Sequence, residues 1–146
     1  MSHGIVLSNG VDTLDLRRDE TKPLQGLYCR DWSDLLAAPA KRGRNRTVPG
    51  ERGLAVRPRV AGSLRALLHI QAVGADHDGC LQLLEDLADL LDYDGLLDVT
   101  VHRGSLTALS GELQVEDPDT PQFVSDAVAR LVVDVTVPAG RLEAAP

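Results

Sequence analysis

The apolar pattern predicts a mainly β chain of the α+β class: an antiparallel β-sandwich or open barrel with one packed α-helix. Two features carry this reading. Cys80, Leu83, Leu84, Leu87, Leu90 and Leu91 recur at three- and four-residue steps, the period of one helix face. On either side of that stretch, alternating or β-branched runs such as Leu131-Val132-Val133-Asp134-Val135-Thr136-Val137 are separated by turn residues.

Residues 5–7 and 11–16 read as two strands around Asn9-Gly10, the pair preferred in a type I′ hairpin turn because both central residues take φ > 0. Residues 17–30 are polar, with Pro23 and Gly26, and read as a connection. Asp31 is placed to cap a short helix through Trp32, Leu35, Leu36 and Ala38, stopped by Pro39. Residues 40–53 form a basic loop without an apolar period, expected to lie outside the packed core. Strands follow at 54–60, where Pro58 favours a sheet edge, and at 63–73, where Leu64, Ala66, Leu68, Ile70 and Ala72 share a face. The helix spans about 79–92, with Asp76 or Asp78 as N-cap and Gly95 available as a left-handed stop. Residues 96–102 and 106–115 make a hairpin through Arg103-Gly104-Ser105, and residues 117–121 a loop. The first half of 123–137 is open between helix and strand, whereas 131–137 is a strand ended by Pro138-Ala139-Gly140. Residues 141–146 read as a short C-terminal tail, giving a single domain over 1–146.

Composition narrows the function. Aromatic residues make up 3% of the chain, so the core rests on Leu, Val and Ala, and the stacking platforms of single-strand nucleic-acid sites are missing. Two cysteines, Cys29 and Cys80, are too few for a disulfide scaffold or a four-ligand zinc site. No stretch approaches the roughly 18 apolar residues of a membrane span. The N-terminus lacks a signal-peptide pattern, so synthesis in a reducing cytoplasm is expected. Asp76-His77-Asp78-Gly79 is the one cluster resembling a metal site, but its acids sit at a helix start and the calcium-loop spacing is absent. No phosphate loop, zincin or nucleophile-elbow pattern occurs, so the chain is read as non-enzymatic, without metal or cofactor.

Charge is segregated along the chain. Between residues 41 and 60 stand Lys41, Arg42, Arg44, Arg46, Arg52, Arg57 and Arg59 against one acid, Glu51. Between 76 and 98 there are eight acids, including Glu85, Asp86 and Asp89, and no Lys or Arg. Complementary fields of this kind attract a partner or a second copy. The basic segment has three readings: an assembly arm whose arginines pair with a neighbour's carboxylates, a nucleic-acid patch over residues 41–59, or a solvated loop. Overall acidity and scarce aromatics favour the first, with Lys41, Arg42, Arg44, Arg46 and Arg52 meeting Glu85, Asp86 and Asp89 of an adjacent subunit.

Thr47-Val48-Pro49-Gly50-Glu51-Arg52-Gly53 lies between the N-terminal hairpin with its long connection and the strand pair, helix, hairpin and final strand. This layout, over residues 4–137, resembles the tail-tube-related fold of long-tailed bacteriophages, and most nearly the N-terminal domain of distal tail proteins. Those carry a Pro-Gly-Arg-Asp-Gly-like turn at the same place in the element order; here Glu51-Arg52 replaces Arg-Asp. The resemblance implies a structural virion protein of the tail or head-to-tail neck. It implies a homo-oligomeric ring, commonly sixfold, around a channel through which the genome passes without specific binding. Neighbouring tail or neck proteins are the implied partners, and no membrane is involved. A typical distal tail protein continues into a second domain, so a tube or neck component is the close competitor.

Overall fold

The computed structural model describes residues 3–17, 25–37, 41–42, 46–47, 54–55 and 60–144. Its centre is a nine-stranded antiparallel sheet, built from β1 (His3–Ser8), β2 (Thr13–Asp15), β3 (Gly26–Asp31), β8 (Leu64–Val73), β9 (Leu96–Arg103), β10 (Leu106–Pro118), β11 (Gln122–Ser125), β12 (Val128–Val137) and β13 (Glu143–Ala144). The strands run in the order β2-β1-β9-β10-β12-β8-β3, with β11 added to β12 and β13 to β10. Four further short strands, β4 (Lys41–Arg42), β5 (Arg46–Thr47), β6 (Leu54–Ala55) and β7 (Val60–Ala61), pair among themselves. The helix α1 (His77–Leu91) connects β8 to β9.

Alternation sets which face is buried. Along β8, Leu64, Ala66, Leu68, Ile70 and Ala72 are buried, and along β12, Ala129, Leu131, Val133, Val135 and Val137. The two strands pair over ten residues without a register break, from Leu64↔Val137 to Val73↔Val128, so both apolar rows face the same interior. Ile5, Leu7, Leu97, Val99, Val101 and Leu113 complete it from β1, β9 and β10. Sheet curvature brings the β1 and β3 edges together through Leu16. Its N–H donates to the Ile5 carbonyl and its carbonyl accepts from the Cys29 N–H, both at 2.9 Å. The predicted open barrel is thereby present, with its seam joined at one residue.

The helix forms where its period placed it, and Asp76 is the N-cap: its Oδ1 accepts from the Gly79 N–H at 2.8 Å. Cys80, Leu87, Leu90 and Leu91 are buried against the sheet. Small partners admit its first turn, since Cys80 packs with Ala72 and Ala129. Gly74 sits closer still, for a Cβ there would overlap the Cys80 nitrogen and lie 2.8 Å from the Asp76 oxygen. Gly95 is not the expected left-handed stop: the helix ends at Asp92, with Gly95 three residues beyond at φ 159°.

Several expectations are corrected. The 9–12 turn is not type I′, because Gly10 is at φ 90° while no non-glycine residue among those described has positive φ. Instead Asn9 Oδ1 accepts from the N–H groups of Val11 at 2.9 Å and Asp12 at 2.7 Å, an Asx-type loop. Part of the polar connection is strand β3, recruited by the free edge of β8 (Leu27↔Ala72, Cys29↔Ile70), a pairing that depends on residues about forty positions away. The short helix is a single 3₁₀ turn, Ser33–Leu36, held by Asp31 Oδ1 accepting from the Ser33 N–H and hydroxyl.

The segment read as a basic loop contains paired strands. Lys41↔Ala61 and Arg42↔Val60 join β4 to β7, and Arg46↔Ala55 and Thr47↔Leu54 join β5 to β6, in nested antiparallel fashion. We refer to residues 41–61 as the arm. Pro49, Gly50, Glu51, Arg52 and Gly53 lie outside the described residues, as does Pro58. Strand β10 runs on to Pro118 past a bulge between Val115 and Asp117. The open stretch at 123 is the β11–β12 hairpin. The expected tail is also structured: Leu142 is buried 2.6 Å from where a Gly111 Cβ would stand, and Glu143–Ala144 pairs with Leu109 and Ser110.

Three substitutions test this packing in thermal or denaturant unfolding. Leu87→Ala should cost about 2–5 kcal/mol through lost burial and a cavity, while the exposed Asp89→Ala stays within about 0.5 kcal/mol. Gly74→Ala should cost about 1–3 kcal/mol by forcing the helix start off the sheet; equal midpoints for Gly74→Ala and wild type would contradict that close approach.

Candidate assembly surface

The outer side of α1 is a row of carboxylates. Glu85, Asp86 and Asp89 are exposed there, and Gln82 Nε2 donates to Asp86 Oδ1 at 3.1 Å. Among the described residues only two ion pairs occur, Arg17–Asp15 at 2.6 Å and Arg65–Asp134 at 3.0 Å, so none of these helix acids is neutralised by a described cation. The helix is braced at its start by the β11–β12 turn. His77 Nδ1 lies 2.7 Å from the Asp126 carbonyl, which can only accept, so Nδ1 carries the proton. The Phe123 ring stands 5.2 Å from the His77 ring.

Beside the carboxylates runs a groove of about 340 Å³. Leu84, Ala88 and Leu91 of the helix form one wall, and Val115, Pro118 and Pro121 the other. Asp92, Glu116 and Asp119 stand on its rim, all exposed. This feature has no local sequence signal, because it joins residues 84–92 to residues 115–121. Leu84, on the apolar stripe of the helix, packs on the small Ala72–Cys80–Ala129 cluster and also lines the groove.

Of the basic residues expected to face these acids, Lys41 and Arg42 belong to β4 and Arg46 to β5. Their side chains, and Arg44 and Arg52 entirely, lie outside the described residues, so the geometry covers the acidic half of the expected contact.

The two cysteines and two hydrogen-bonded aspartates have structural roles. Cys29 and Cys80 are free and buried, and burial pushes the Cys29 thiol up to about 12. The Cys80 sulfur points at the Ala72 carbonyl, 3.8 Å away. The Arg17 guanidinium beside Asp15, and the Ser33 N–H beside Asp31, hold those carboxyls below the usual carboxylate range. Among the described residues no group of three or more His, Cys, Asp or Glu is arranged to hold a metal, and no helix is long and apolar enough to cross a membrane.

No family model and no curated protein matches the sequence. Solved structures do match in shape. The chain is similar to one in the structure of the phage P2 baseplate in its activated conformation with Ca, at TM-score 0.67 and 11% identity, over 94% of this chain and 44% of that one. It is also similar to one in the phage p2 baseplate in its activated conformation with Sr, at TM-score 0.66 and 11% identity over the same shares. The fold is shared with a phage baseplate chain. This chain spans less than half the length of those neighbours.

Two measurements check the chemistry described. Neither thiol should react with a thiol-specific dye in the native protein at pH 8, and both should react on unfolding, since a buried thiol with a raised pKa presents no thiolate. Asp15 and Asp31 contribute stability above roughly pH 4, lost as pH falls through their depressed folded values. The gap in thermal midpoint between wild type and the Asp15→Asn, Asp31→Asn double variant should therefore shrink below about pH 4.

Proposed function

We propose that this chain is a structural, non-enzymatic virion subunit of a long-tailed bacteriophage, forming a homo-oligomeric ring in the tail or head-to-tail neck region around the genome channel. The observation that carries the reading is the shape likeness to a phage baseplate chain across nearly the whole chain, at 94% coverage. Its segregated charge supports it: each copy presents an acidic helix and a basic arm, which favours head-to-tail contact between copies, and such contacts close into rings when the rotation permits. In the ring, Lys41, Arg42, Arg44, Arg46 and Arg52 face Glu85, Asp86 and Asp89 of the adjacent subunit, and tail or neck proteins stack above and below. The finer likeness, to the N-terminal domain of distal tail proteins, belongs to the same proposal.

The mass of the purified chain tests this. A discrete ring, sixfold on the family resemblance, is expected; a monomer at tens of micromolar sinks the reading. Exposed ion pairs contribute only about 0–1 kcal/mol each, so single changes in the arm should do little. Changing Arg42, Arg44 and Arg46 together to Ser should weaken assembly, while the monomer keeps its thermal midpoint.

A second reading draws on the strand pairing of the arm. A basic two-stranded antiparallel ribbon suits the width of a duplex major groove, and residues 41–59 would be its nucleic-acid surface. Binding to duplex DNA that weakens steeply with salt, by a chain that stays monomeric, would favour it over the ring.

A further inference from the structure

We infer that the groove between α1 and the end of β10 is a seat for the basic arm, residues 41–61, of a second copy of this chain. The inference deepens the assembly reading above and rests on it.

The groove's chemistry selects its occupant. Its floor is apolar, so a purely hydrated chain gains nothing there, and its rim carries Asp92, Glu116 and Asp119, none of them in a described ion pair. Three carboxylates outside any described ion pair, set around an apolar floor, disfavour a phosphate backbone and attract a segment that is both cationic and apolar. The chain holds one such segment. Residues 41–60 carry seven basic residues and one acid, interleaved with Val48, Leu54, Val56 and Val60. The remainder after residue 61 has four basic residues, Arg65, Arg103, Arg130 and Arg141, against fifteen acids. Residues 1–40 hold four basic residues against six acids, so no other stretch of this chain carries a comparable positive excess.

The arm is also available for such a contact. Among the described residues its four strands pair only with one another, β4 with β7 and β5 with β6, and none joins the nine-stranded sheet. Arginine forks bind carboxylates in pairs, and the arm's aliphatic side chains match the leucine and proline walls. Because the arm and the groove are different surfaces of one chain, their union between copies is heterologous and satisfies both surfaces in every copy of a closed ring.

A charge swap between copies tests this. One variant carries Asp92→Lys, Glu116→Lys and Asp119→Lys; the other carries Arg42→Glu, Arg44→Glu and Arg46→Glu. Each alone should associate roughly tenfold or more weakly by sedimentation, since like charges now face each other across every contact. Mixed one to one they should assemble again, alternating around the ring, with every interface complementary. Wild-type assembly by the groove variant would overturn the proposal while leaving the assembly reading intact. Rescue only when all six changes sit in one chain would overturn it too, placing the contact within a subunit. A wild-type chain that remains monomeric removes the assembly reading and this one together. If the lysine variant melts early, Asp92→Asn with Glu116→Gln and Asp119→Asn replaces it. This near-isosteric set should still weaken association and flatten its salt dependence.

Discussion

Leu16 belongs to no strand, yet its backbone carries hydrogen bonds to Ile5 on one side and Cys29 on the other, where the two ends of the curved sheet meet. Those two bonds satisfy edge groups that would otherwise face water and could recruit another chain. They also set the interior volume, and this chain fills it almost wholly with Leu, Val, Ile and Ala. The Leu16 side chain is itself fully buried at the seam. Closure leaves the helix no place among the strands, so it lies across β8, β12 and β3 with its acids outward. The groove along its flank follows from that position.

What could be read in the sequence divides by the range of the forces involved. The helix and the strands β8, β9, β10 and β12 were evident because each writes its own period: Leu87 and Leu90 at helical spacing, Leu64 through Ala72 at spacing two. Strand β3 has no such signature, because nothing within residues 26–31 demands extension; the free edge of β8 imposes it. The first part of the arm, residues 41–53, reads as a loop for a related reason. Its strand pairs are two residues each and its alternation is broken by arginines, so pairing rather than burial defines them. The C-terminal strand hinges on one side chain, Leu142, filling the space that Gly111 leaves empty.

The candidate site was legible in its charge and hidden in its shape. Segregation of Lys41 through Arg59 from the acids of 76–98 is visible by inspection, and it pointed to Glu85, Asp86 and Asp89 as the facing surface. The groove could not be seen that way, because Leu84 and Pro118 become neighbours only once the helix is docked and β10 has passed its bulge. Likeness to a baseplate chain at 11% identity shows the same division. Alternation and turn placement survive extensive replacement of residues, whereas surface chemistry does not have to.

The unbroken ladder between β8 and β12 has a kinetic side. Its ten pairs link residues 64–73 to residues 128–137, so the longest seam in the molecule closes a loop of more than fifty residues. Loop-closure entropy of that size must be met before any of those pairs contributes, which makes the barrel a slow, late-forming structure relative to its helix. During synthesis, β3 and β8 emerge as a two-stranded fragment with one apolar face uncovered, and they wait for β12 to leave the ribosome. A subunit therefore acquires its finished surface all at once, near the end of translation of this region, and partly made chains have no barrel with which to compete for a place in an assembly.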